Sequence, residues 1–164
     1  MIVDGKLRPM TAVYILRGGR ILLLYRVGSR VVAPSFCGVG GHFEKDELCD
    51  ARACVLREMR EEIGLLPDDL LDMRMRYVTL RLKNGEIRQN YYFFAQLCED
   101  AEIKPDCGEG RLEWAELETV LERKMPHTAW HMLAHYLKEG RYTDLLYGGV
   151  TTENSVVFTP LEEF

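Results

Sequence analysis

Apolar residues recur along the chain in two rhythms. Residues 11–16 and 20–26 are nearly continuous apolar runs separated by Gly18-Gly19. Glycine tolerates the positive φ of tight hairpin turns, so the two runs predict a first β-hairpin. Asn84-Gly85 marks a second, between the β-rich runs 73–82 and 87–97; Asn-Gly in that setting is the strongest short-range hairpin signal. A third pair, 145–150 and 155–159, flanks Thr152-Glu153-Asn154. Helical spacing fills the intervals. Residues 50–63 predict a helix stopped by Gly64 with Pro67 beyond it, residues 114–123 a short second helix, and residues 127–138 a third ending at Gly140. Hairpins mixed with helices predict an α/β layered domain around a mixed sheet, because an Asn-Gly hairpin has no place in a purely parallel one. No linker, repeat or low-complexity tract divides the chain, so residues 1–164 read as a single domain.

Charge then narrows the class of partner. Twenty-one Lys+Arg against 26 Asp+Glu leave a formal charge of −5. A protein that grips a nucleic-acid polymer needs a dense basic face, so a polymer partner is not expected. A single nucleotide is compatible, since a metal ion can neutralise its phosphates. The longest apolar stretches, such as 21–25, are too short to span a bilayer, and the opening Met1-Ile-Val-Asp-Gly-Lys lacks the design of a secretion signal. Cys37, Cys49, Cys54, Cys98 and Cys107 contain no C-x-x-C pair and read as reduced packing residues. A cytoplasmic protein with no membrane partner is the expectation.

Candidate chemistry lies on the helix at 50–63. At about 100° per residue, Glu58, Glu61 and Glu62 share one arc, while Val55, Leu56, Met59 and Ile63 share another that faces a core. Ala51 and Cys54 lie under the acidic arc one turn earlier and leave room for a ligand to approach. Crowded carboxylates repel, and a hard divalent cation removes that penalty because carboxylate oxygen is the ligand Mg²⁺ or Mn²⁺ prefers. A second reading is an acidic, solvated helix face balanced by Arg57 and Arg60.

The surrounding residues decide between them. Gly38-Val39-Gly40-Gly41 forms a loop able to approach a ligand closely, and Gly64 caps the helix. Gly41, five residues, Glu47, then Arg57-Glu58-Met59-Arg60-Glu61-Glu62-Ile63-Gly64-Leu65 resembles the Nudix hydrolases, whose box reads G-x5-E-x7-R-E-U-x-E-E-x-G-U with U aliphatic. The box would run from 41 to 65. One departure stands out: nine residues, not seven, separate Glu47 from Arg57. Two extra residues within a helix would rotate Glu47 by about 200°, so the insertion belongs in the loop or at the helix start. With the helix register kept, the glutamate's slot falls on Cys49, and Glu47→Gln is expected to be mild.

The resemblance implies a Nudix-type αβα sandwich and, from the third helix and terminal strand pair, a MutT-like, 8-oxo-dGTP diphosphatase-type shape. It implies Mg²⁺ held by Glu58, Glu61 and Glu62 with the Gly40 carbonyl, and Mn²⁺ able to substitute. Arg57 would brace the glutamates, Glu58 act as general base and Glu47 stand with them as a catalytic residue. Glu109 would add a loop carboxylate and Arg26 contact a phosphate. The activity implied is hydrolysis of a nucleoside triphosphate or another nucleoside diphosphate linked to X, oxidised purine nucleotides such as 8-oxo-dGTP among them. Nucleotide sugars, dinucleoside polyphosphates and a non-hydrolytic nucleotide-binding module stay open, as do monomer and homodimer. Tyr14, Tyr77 and Tyr92 are available to stack on a base or to pack in a core. His127, His131 and His135 drift about 40° per step around their helix and are read as packing residues rather than a zinc site.

Overall fold

A computed structural model of the chain describes residues 4–27, 33–105 and 108–164. Among these, eight strands form one mixed sheet. Strand β1 (Lys6–Arg17) turns at Gly18-Gly19 into β2 (Arg20–Arg26), and both glycines have positive φ as the tight turn requires. The two strands pair only over the three residues nearest the turn. Beyond it β1 runs parallel to β5 (Glu86–Leu97) along eleven residues. Strand β4 (Leu70–Lys83) and β5 form the long antiparallel hairpin predicted from Asn84-Gly85, whose φ values of 54° and 75° suit a two-residue turn of the type that matches strand twist. Strand β7 (Tyr147–Thr151) joins β4 in parallel and pairs antiparallel with β8 (Val156–Pro160), so the C-terminal pair extends the same sheet. Strand β3 (Ser35–Cys37) pairs with β2.

Alternation along β1 explains the layers. Val13 and Ile15 point to a core with Val55, Met59 and Ile63 of helix α1 (Ala51–Ile63). Tyr14 and Leu16 point the other way, to Met132, Leu133 and Tyr136 of helix α2 (His127–Lys138). Strictly alternating side chains on a sheet covered by one helix on each face give the αβα sandwich.

The helix expected at 114–123 does not form. Residues Gly110–Glu116 instead make β6, pairing antiparallel with the whole of β2, and only Val120–Glu122 coils, as a 3-10 turn. Without β6 that side of β2 would carry unpaired backbone groups next to a buried core, and tertiary pairing overrides the local helical preference of Trp114, Leu117 and Leu121. Tyr14, Tyr77 and Tyr92 are buried in the α2-side core, so they pack rather than stack on a ligand. Cys49, Cys54 and Cys98 are free thiols, while Cys107 lies outside the described residues. No helix among the described residues is long and apolar enough to cross a membrane.

Candidate active site

Both ends of α1 are closed by the residues the sequence marks. Asp50 accepts the Ala53 amide at 2.9 Å, and Gly64, at φ +74°, returns its amide to the Arg60 carbonyl. Burial of Val55, Met59 and Ile63 then fixes the helix rotation. It turns Glu58 and Glu62 toward the segment 38–42, which lies beside β1 through Val13 N–H to Val39 O (2.7 Å) and Thr11 N–H to Gly41 O (2.9 Å).

Close approach demands the two glycines of this segment. A Cβ on Gly40 would collide with the Thr11 carbonyl, and one on Gly41 would sit 2.6 Å from Glu58 Oε1. With hydrogen in their place, the Gly40 amide donates to Glu62 Oε2 at 3.2 Å and the Glu58 carboxylate lies against Gly41. The room expected beside Cys54 is filled by this same backbone. Its buried Sγ faces the Thr11 hydroxyl and the His42 carbonyl, and burial raises its pKa to about 11, so it holds no thiolate nucleophile.

Two guanidinium groups organise the acids. Arg57 donates from Nε and Nη2 to the two oxygens of Glu47 (2.6 and 3.0 Å), from Nη1 to Glu58 Oε1 (2.9 Å) and Glu61 Oε2 (3.0 Å), and from Nη2 to the His42 carbonyl. Arg26, at the end of β2, donates from Nη2 to the Gly40 carbonyl (2.8 Å) and Glu62 Oε1 (3.2 Å) and pairs with Glu109 Oε2 (3.2 Å). The residue expected to meet phosphate is thus engaged with two acids and with the carbonyl expected to meet metal.

The two-residue insertion is absorbed before the helix. Lys45–Glu47 form a 3-10 turn, Leu48 and Cys49 follow as turn residues, and the helix begins at Ala51. Cys49 is exposed outside the helix, and Glu47, not Cys49, reaches Arg57. The expectation of a displaced Glu47 is corrected: its buried carboxylate has a bidentate arginine and the Glu44 amide, and the Arg57 bonds hold its pKa down at about 2.

Glu58 and Glu62 are perturbed the other way. Burial raises the Glu58 pKa against the pull of Arg57. Burial and a hydrogen bond with Glu109 push Glu62 up to about 8, opposed by Arg26. Glu61 is half exposed. Burial lowers the pKa of His42, helped by Arg8, Arg26 and Arg88. Among the described residues, no group of three or more His, Cys, Asp or Glu converges into a metal cage. The donor set nevertheless suits a hard divalent cation: it is all oxygen, two of its carboxylates are desolvated against the loop backbone, and a cation would reverse their upward pKa shifts. Arg57 uses one oxygen each of Glu58 and Glu61, leaving Glu58 Oε2 and Glu61 Oε1 outside its clasp.

A helix with this acidic flank, seated on a glycine loop at the edge of an αβα sandwich, defines a Nudix-type hydrolase. The NUDIX domain family matches residues 6–136, and the chain belongs to it. Its fold is similar to that of the MutT protein of Bacillus halodurans (22% identity, 93% of this chain and 97% of that one, TM-score 0.64). The E. coli ORF135 protein is similar too (22%, 88% and 99%, TM-score 0.64), as is a NUDIX hydrolase from Nitrosomonas europaea (15%, 89% and 79%, TM-score 0.67). At these identities the likeness is one of fold. No curated protein matches the chain.

Sequence reasoning missed how Arg26 joins Glu62, Glu109 and Gly40. Its only signal was a cation at the end of an apolar strand, and the partners are distant in sequence. The Glu47–Arg57 pair carried a clearer one, because an arginine amid three glutamates on a half-buried helix calls for a fixed geometry that a further carboxylate supplies.

Proposed function

We propose that the chain is a divalent-metal-dependent pyrophosphohydrolase that splits the phosphoanhydride of a nucleoside triphosphate or of another nucleoside diphosphate linked to X. The observation that carries this reading is the pair of partly buried Glu58 and buried Glu62 against Gly40-Gly41, both with raised pKa values, an arrangement of like charge that Arg57 and Arg26 offset only in part. Glu58, Glu61, Glu62 and the Gly40 carbonyl would hold Mg²⁺, or Mn²⁺ in its place, with Glu109 adjoining. What the ion supplies when bound is neutralisation of the anhydride oxygens and acidification of water.

The chain's own residues do the rest. Arg57 fixes Glu58 through one oxygen, leaving the other to take the proton of the attacking water, and the raised pKa of Glu58 suits it to that role. Water oxygen bonds to phosphorus as the bridging P–O bond breaks, giving two phosphate products. Glu47 positions Arg57 and through it Glu58 and Glu61. Arg26 offers charge to the phosphates from beside Glu62. Oxidised purine triphosphates such as 8-oxo-dGTP are the proposed substrates, with nucleotide sugars and dinucleoside polyphosphates in the same class.

A second reading, a non-hydrolytic nucleotide-binding module, is favoured by the engagement of Glu58, Glu61 and Glu62 by arginines. Incubation with Mg²⁺ and matched nucleotides, 8-oxo-dGTP beside dGTP, an ADP-sugar and a dinucleoside polyphosphate, with phosphate and pyrophosphate measured, decides between them. Metal-dependent release supports the hydrolase. Binding of nucleotide with no turnover of any member supports the module.

A further inference from the structure

Past the aromatic core under α2, on the sheet face opposite α1, three arginines stand side by side. The parallel β1–β5 register sets Arg8 beside Arg88, and the antiparallel β4–β5 register sets Arg81 on the other side of Arg88. Alternation places all three on the face of Tyr14, Tyr92 and Tyr77. The next row of the same face is Lys6, Glu86 and Lys83.

Glu86 is the shared counter-charge, 2.8 Å from Lys6, 3.4 Å from Arg8 and 3.9 Å from Arg88. Among the described residues, Arg81 and Lys83 have no acidic partner, and the buried Nε of Arg88 has no hydrogen-bond partner. Like charges directly opposite one another on neighbouring strands destabilise a sheet. Such a row in a chain of net charge −5 calls for an anion, and the arginine fork matches phosphate oxygens in pairs.

Its position says which part of a substrate it would meet. Met10, two residues from Arg8, bridges to His42, and Ala12 lies against Gly40. Arg8 is four residues from Ala12, about 13 Å along the strand from the Gly40 contact, and two residues from Met10, about 7 Å from the His42 contact. A pyrophosphate held at the Gly40 end is shorter than that span, so the row would meet a different part of the substrate.

We propose that Arg8, Arg81 and Arg88 bind a second phosphate monoester of the substrate, remote from the scissile anhydride, so that the preferred substrate class is a nucleoside polyphosphate carrying an additional sugar phosphate. This rests on the hydrolase reading for its name of substrate, but the anion site is measurable without turnover. Guanosine 3′-monophosphate has no anhydride to split. In chelator-treated, metal-free buffer it binds about tenfold tighter than guanosine, as expected for charge-assisted bonds. In Arg81→Gln and, independently, Arg8→Gln, the ratio of the two affinities falls toward one. Equal affinities in the wild-type protein, or an undiminished ratio in both variants, overturns the proposal. So does an affinity that climbs steadily with the length of an oligoribonucleotide, which would assign the row to a polymer. Turnover of nucleoside triphosphates without the 3′-phosphate preference sinks this proposal alone, while the preference without any turnover sinks the hydrolase reading alone.

Discussion

The two helices cover the same sheet and do opposite things with polar groups. Beneath α2, Phe94 stacks on Tyr136 with ring centroids 3.8 Å apart, Tyr77 stacks on Tyr147, and the Tyr77 hydroxyl meets His135 Nδ1 at 2.8 Å. The buried Arg76 donates to the carbonyls of Gly140, Thr143 and Leu145, tying down the chain after α2. These contacts stabilise the fold. Beneath and beside α1 an apolar stripe of the same kind borders three acids, two with pKa values displaced upward. Buried like charge is disfavoured by burial and by repulsion, and two arginines relieve it only in part. One flank stabilises the sandwich; the other holds a charge conflict of the kind the proposed divalent ion would resolve.

The sharpest way to break this contrast is to exchange the two outcomes. Phe94→Ala is expected to lower stability by about 3–5 kcal/mol, while turnover per folded molecule stays near wild type. Denaturant unfolding together with active-fraction kinetics checks both halves. Glu62→Gln should do the reverse, reducing Mg²⁺-supported turnover at least about a hundredfold with metal-free stability equal or higher. Loss of stability in that variant would mean that the Glu62 charge is a structural asset. Glu47→Gln is intermediate: about 1–3 kcal/mol of stability goes as Arg57 loses its charged bidentate partner, and kcat falls with it as Glu58 shifts. A wild-type kcat with unchanged melting would remove Glu47 from the site.

A further consequence is in pH. Glu62 has a folded pKa raised above its ordinary 4.5 to about 8, so the metal-free folded state binds more protons than the unfolded chain in that interval. Stability should therefore decline as pH rises from about 4.5 to about 8, and Glu62→Gln should flatten the decline. Glu47 is depressed to about 2, so its contribution is complete above 4.5 and is lost as pH falls toward 2. Urea unfolding from pH 2 to 9 without metal separates the two slopes.

What the sequence revealed follows the same division. Local features were legible: the Asn84-Gly85 turn, the Gly64 cap and the internal spacing of Glu58, Glu61 and Glu62 depend on residues within a few positions of one another. Residues 110–116 were misread because strand or helix there is decided by the open side of β2, some ninety residues earlier. Glu47 looked displaced because counting residues along a helix says nothing about a 3-10 turn that takes up two of them. The partners of Arg26 and the row Arg8–Arg88–Arg81 were hidden, since only the fold brings residues so distant into line.

Crystals of the protein grown with a non-hydrolysable nucleotide analogue and soaked in Mn²⁺ test the central claim most directly. Anomalous density bounded by Glu58, Glu61, Glu62 and the Gly40 carbonyl is the predicted result. Density absent from that flank, with Arg57 and Arg26 still clasping the same carboxylates beside bound nucleotide, would contradict it.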